Sequence, residues 1–189
     1  MSIVVAVVGK KDIHLACDSQ VTYGDDHKSF SSTDKIIKCG TNYIGIVGDA
    51  SFDQIFLDYY RSLKKKPLLN NKTNIFKFSL EFHVQLRDRY FINEDHTSED
   101  VDDVVSSKME YIIANKYGLF KIFENRYIEE VLNYCAIGSG TPYALGSLYE
   151  SELVGKNPEE SAKLAIKVAK HFDLYCGGES RYFKVQLTK

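Results

Sequence analysis

Hydrophobic positions along this chain fall into blocks whose spacing shifts from strand-like to helix-like and back. Residues 2–8 read SIVVAVV, a continuous β-branched run. A strand with one wet face would alternate, so this run predicts a strand covered on both faces. Gly9 to Asp12 is a turn, and IHLACDS (13–19) returns as a second strand. A hairpin this early pins the start of the chain to a sheet. KIIKCG and NYIGIVGD (35–49) read as two further strands, turning through Gly40, Thr41 and Asn42.

The period then lengthens. In SFDQIFLDYYRSL (51–63), Phe52, Ile55, Phe56, Tyr59 and Leu63 form one helical stripe behind a Ser51 N-cap. The next segment, IFKFSLEFHVQLRDRYF (75–91), points both ways. Phe76, Phe78, Leu80, Phe82, Val84 and Leu86 alternate as in a strand, while its length and its lack of Gly, Pro or a turn argue helix. The pattern alone leaves both open. Residues 93–103 are acidic and polar, a surface loop whose carboxylates have no metal-ligand spacing. Residues 109–140 predict three strands, and TPYALGSLYESEL (141–153) a helix with Pro142 in its first turn. NPEESAKLAIKVAKHFD (157–173) is a second such helix, with Asn157 as cap, Pro158 at N1, Glu160 at N3, and Leu164, Val168 and Phe172 on one face. RYFKVQL (181–187) closes the chain as a strand. Strands and helices grouped this way predict an α+β fold: two antiparallel sheets packed together with helices outside.

Composition narrows the class. With 189 residues, no linker and no repeat, the expectation is a single domain over residues 1–189. At 44 % apolar and 26 % charged, the chain reads as globular. A net charge of −2 and no long basic block argue against nucleic acid. Three lysines in SLKKKP (62–67) suit a helix C-terminus. No apolar run approaches the roughly 20 residues of a membrane span. The opening has no basic n-region and its apolar run is short and β-branched, so a signal peptide is not expected. Cys17, Cys39, Cys135 and Cys176 lack metal-binding spacing and read as reduced thiols, in keeping with a cytoplasmic protein.

The groups that could do chemistry are Ser2, Asp18, Lys35, Gly48, Ser139 and Asp173. Taken singly, the first five have ordinary readings: a start-of-chain serine, a turn aspartate, a surface lysine, a turn glycine, an N-cap. Taken together they suggest more. Loss of the initiator Met would give Ser2 a free α-amine, whose pKa of about 7.7–8.0 suits a general base for its own hydroxyl. A lysine beside that amine would favour its neutral form, and a carboxylate would hold the lysine. Gly48 and Ser139 each sit where a strand meets a helix, and N–H groups at such turns can bind an oxyanion.

Six stretches carry a family resemblance: Ser2-Ile3-Val4-Val5, Cys17-Asp18-Ser19-Gln20-Val21-Thr22, Lys35-Ile36, GIVGDA (45–50), GSGTPYALGSLY (138–149), and Asp173 with Cys176-Gly177-Gly178. In order and nearly in spacing, they resemble the proteasome β-subunit family and its bacterial relative, the HslV peptidase. That resemblance implies a four-layer αββα sandwich and a nucleophile at the N-terminus. It places Ser2 at the nucleophile, Asp18 and Lys35 at the charged pair beside it, Gly48 at the oxyanion N–H, and Ser139 and Asp173 near the terminal amine. Cys176 stands where the family has a small polar group.

Ser19, Gln20, Val21 and Thr22 would line a strand that pairs with an extended substrate, and Val21, Ile46 and Ala50 would shape an apolar pocket. The second of the paired helices would cover residues 76–91. The implied chemistry is peptide hydrolysis without metal or cofactor, on protein or peptide substrates. The resemblance also implies self-assembly into stacked rings and an ATPase unfoldase as partner. Two other readings stay open: a catalytically silent structural ring subunit, and an N-terminal nucleophile amidase acting on a small molecule.

Overall fold

The computed structural model describes residues 2–23, 27–30, 34–92 and 109–188. Met1 and the acidic stretch at 93–103 lie outside the described residues. The elements run β1 (Val4–Val8), β2 (Asp12–Asp18), β3 (Gln20–Tyr23), β4 (His27–Phe30), β5 (Ile36–Cys39), β6 (Asn42–Val47), α1 (Phe52–Ser62) and α2 (Lys72–Asp88). Then come β7 (Glu110–Asn115), β8 (Gly118–Ile122), β9 (Ile128–Val131), β10 (Tyr134–Ile137), α3 (Thr141–Leu153), α4 (Pro158–Phe172) and β11 (Ser180–Gln186).

Two antiparallel sheets result, one in the order β10-β1-β2-β11 and the other β5-β6-β7-β8-β9, with β3 and β4 as a separate ribbon. The continuous apolar run of β1 has a direct explanation. Val4 and Ala6 pack into the space between the sheets, with Leu15, Ile112 and Ile137. Ile3, Val5 and Val7 turn to the other face, against Ala144, Leu148 and Ile166 of α3 and α4. On the far sheet, Ile44, Ile46, Tyr111 and Ile113 face α1 and α2. The layers are therefore helices, sheet, sheet, helices, the αββα sandwich the resemblance implied. Among the described residues, no helix is long and apolar enough to cross a membrane.

The ambiguous segment is helical. Residues two apart on a helix lie about 200° apart. The alternating run therefore splits into two stripes: Phe78, Phe82 and Leu86 are buried, and Phe76, Leu80 and Val84 are exposed. Packing made the choice, because Phe78 and Phe82 form an aromatic cluster with Phe56 and Tyr59 at centroid distances of 5.1–5.8 Å.

The structure adds detail and some corrections. The face α4 buries is that of Ala162, Ala165, Ile166 and Ala169, beside the one shared by Leu164, Val168 and Phe172. Alanines let the helix approach the sheet closely, and Phe172 instead stacks on Tyr143 at 5.7 Å. Residues 110–137 form four strands, not three, and β4 is additional. Ser51 precedes α1 without capping it, because its hydroxyl and N–H both donate to Asp49 Oδ1. Asn157 does cap α4, accepting from Glu160 N at 2.9 Å.

Candidate active site

Asp18 ends β2, where the strand's alternation turns it off the same face as Ala16. Asp18 is 1 % exposed, and its carboxylate takes four donors. Oδ1 accepts from Ile3 N at 3.1 Å and Lys35 Nζ at 2.5 Å. Oδ2 accepts from Gly177 N at 2.9 Å and Gln20 N at 3.3 Å. A buried charge is tolerable on these terms: it is paired and its lone pairs are filled. Lys35 has a second acceptor, the Gln20 carbonyl at 2.6 Å. Backbone contacts tether it as well, since Ile46 N donates to Lys35 O at 3.0 Å. That bond carries the β5–β6 pairing on to Lys35 and Ile46, and Gly48 follows two residues later, just past the end of β6. Gly48 is exposed, with a φ of 133°.

Ser2 is buried at the head of β1. Its carbonyl is held by the turn from β10 into α3: Ser139 Oγ donates to it at 3.4 Å and Gly140 N at 3.5 Å. Gly138 has a φ of 103°, and a Cβ there would lie 2.1 Å from Ser2 O. Only glycine fits this close backbone approach. Ser139 is not the N-cap of α3; Gly140 occupies that position.

Asp173 follows α4 as its C-cap and turns the chain, accepting from Tyr175 N at 2.9 Å. The Cys176 thiol donates to Asp173 Oδ2 at 3.2 Å and lies 3.9 Å from Ser139 Oγ. Burial raises the Asp173 pKa, but hydrogen bonds from Tyr175 N–H, Ser139 and Cys176 outweigh it, so the carboxyl lies below its ordinary value. The Cys176 thiol is pushed up, chiefly by burial and then by its bond to Asp173.

Ser2, Asp18, Lys35, Ser139 and Asp173 are thus joined through one bonded network around the start of β1, with Gly48 at the adjoining strand end. The expected substrate residues divide. Val21 and Thr22 are half-buried on β3, and Ala50 is exposed. Ser19 and Gln20 are buried, and Ile46 faces the core with Phe52 and Phe56. One contact had no sequence signal, and a second had a motif but no stated partner. Arg181 pairs with Asp34, the neighbour of Lys35, across 147 positions. Cys176 meets Asp173 through a turn whose shape only the fold sets. The Gly138 clamp did leave a signal, the glycines flanking Ser139. Among the described residues, no group of three or more His, Cys, Asp or Glu side chains is placed to hold a metal ion.

No family model and no curated protein matches the chain. Solved structures do. BPH of Thiobacillus denitrificans, in complex with epoxomicin, superposes with a TM-score of 0.90 at 30 % identity, over 99 % of this chain and 100 % of that one. Eukaryotic HslV from Trypanosoma brucei gives 0.69 at 20 % identity, over 97 % and 99 % of the two chains. Anbu (ancestral beta-subunit) from Yersinia bercovieri gives 0.67 at 16 %, over 97 % and 81 %. At those identities the last two share the fold alone.

Proposed function

The chain belongs to the proteasome β-subunit and HslV-type family of N-terminal nucleophile hydrolases, and on that premise we propose that it is a peptidase whose nucleophile is Ser2. One observation carries this reading. A single oxygen of Asp18 accepts both Lys35 Nζ and the amide that follows Ser2. The charged pair is therefore built onto the backbone that presents the hydroxyl, and the clamp from Gly138 to Gly140 holds that backbone from the other side.

The chemistry follows from these parts. With Met1 removed, the Ser2 amine takes the proton from Ser2 Oγ as the oxygen attacks a peptide carbonyl. The Lys35 ammonium favours the neutral amine and stabilises the developing alkoxide. Gly48 N–H receives the oxyanion. The amine's proton then passes to the leaving nitrogen, the C–N bond breaks, and an acyl ester remains on Ser2. Water, deprotonated by the same amine, hydrolyses the ester and restores the hydroxyl. An extended substrate would pair with the β3 edge at Val21 and Thr22. Assembly into rings with the sites inside, fed by an unfoldase, is the family's arrangement and the one proposed here.

The test is an intact mass before and after a peptide epoxyketone, the class of inhibitor to which epoxomicin belongs. That warhead needs a free terminal amine and its hydroxyl together. Loss of Met1 and one stoichiometric adduct, abolished in Ser2→Ala, is the expected result. Retained Met1 with no adduct overturns the reading and favours a structural ring subunit.

A further inference from the structure

Gln20 lies on the strand expected to meet substrate, yet its side chain faces inward and is 3 % exposed. Its amide Nε2 donates to Leu174 O at 3.0 Å and to Thr22 Oγ1 at 3.2 Å. Its Oε1 fills the space where residue 177 has no side chain: a Cβ on Gly177 would lie 2.3 Å from it. The backbone is equally committed. Gln20 N donates to Asp18 Oδ2 and to Gly177 O, at 3.3 and 3.2 Å, and Gln20 O accepts from Lys35 Nζ at 2.6 Å.

We propose that Gln20 is a positioning residue that clamps the 173–178 turn, carrying Asp173 and Cys176, to the Asp18–Lys35 pair. The inference rests on the reading of Ser2 as nucleophile. Two halves of the site come from distant parts of the chain. One is the Asp18–Lys35 pair, the other the turn after α4. Gly177 N–H reaches Asp18 only while the turn lies close to β3. The Gln20 side chain holds it there through Leu174, 154 positions away. A buried amide fits this task because it is neutral and still supplies two donors. A methionine of similar volume would fill the same space with no donor, leaving Leu174 O unpaired.

Two variants and two readouts test the clamp. The readouts are backbone hydrogen exchange at Gly177 and the rate of epoxyketone labelling at Ser2. In Gln20→Met, exchange at Gly177 should speed up by about tenfold, as expected for a lost hydrogen bond of ordinary strength. Labelling should slow by about tenfold or more, with inhibitor affinity little changed, because small misplacements of reacting groups cost rate. Gln20→Glu keeps the shape. Its protonated carboxyl can donate to Leu174 O, but its ionised form cannot and lies beside the Asp18 charge. Relative to the parent at the same pH, this variant should therefore label best at the low end of the working range and fall further behind as pH rises. Parent-like exchange at Gly177 in Gln20→Met overturns the clamp. Parent-like labelling in both variants overturns its role in the reaction. An unlabelled parent overturns the assignment of Ser2 instead, and the exchange at Gly177 then judges the clamp alone.

Discussion

Lys35 Nζ lies 2.5 Å from Asp18 Oδ1, and the Asp18 side chain has no solvent exposure. The pair is stable where it is because backbone N–H groups of Ile3, Gln20 and Gly177 complete the carboxylate's shell. Removing one partner of a buried pair strands the other charge. Lys35→Met should therefore cost about 3 kcal/mol or more, read by urea denaturation. It should also abolish epoxyketone labelling at Ser2. A variant with full stability and full labelling would mean that the pair is incidental to both.

Gly138 offers a sharper steric test. An added Cβ would press on the Ser2 carbonyl at 2.1 Å, on a backbone with φ of 103°. Gly138→Ala should destabilise by about 3 kcal/mol or more and displace Ser2. Gly146, inside α3, has nothing within 4 Å of an added Cβ. Gly146→Ala should stabilise by about 0.5–1 kcal/mol, the helix-propensity difference. Thermal unfolding of the two variants should move in opposite directions.

The depressed pKa of Asp173 has a consequence for acid stability. A carboxyl depressed in the fold stabilises it above the unfolded value of about 3.9, and that contribution is lost as pH falls through the folded value. Cys176→Ala removes one of the bonds that lower it. Its carboxyl should move up, so acid unfolding should begin at a higher pH than in the parent. Cys176→Ser, which restores a donor, should shift less. Circular dichroism against pH reads both.

All four cysteines are free and buried. Burial pushes the thiols of Cys17 and Cys135 up to about 12 and that of Cys39 to about 11. Thiolate is the reactive form, so none should react readily with a disulfide reagent in the native protein at pH 8, and all four should react in urea. Fast modification of one thiol in the folded protein would show that its neighbourhood opens.

Much of the sandwich could be read along the chain. The β-branched run of β1 announced a strand buried on both faces, and Asn157-Pro158 announced the start of α4, because these signals depend on a residue and its near neighbours. The Gly-Ser-Gly turn and the order of the short motifs likewise singled out residues that the fold gathers around the start of β1. Other decisions required distant partners. Phe76 to Leu86 carries an alternation that is equally a strand face or two helix stripes, and contact with Phe56 and Tyr59 resolved it. Leu164, Val168 and Phe172 share a face, yet alanines allow closer packing and α4 turns Ala162, Ala165 and Ala169 inward. Gln20 lies on the strand expected to meet substrate, and its bond to Leu174 turns its side chain into the interior. Arg181 with Asp34, and Ser139 with the Ser2 carbonyl, join positions 147 and 137 residues apart. Local periodicity carries no record of such pairs, since chain distance does not determine which side chains the sheets bring together.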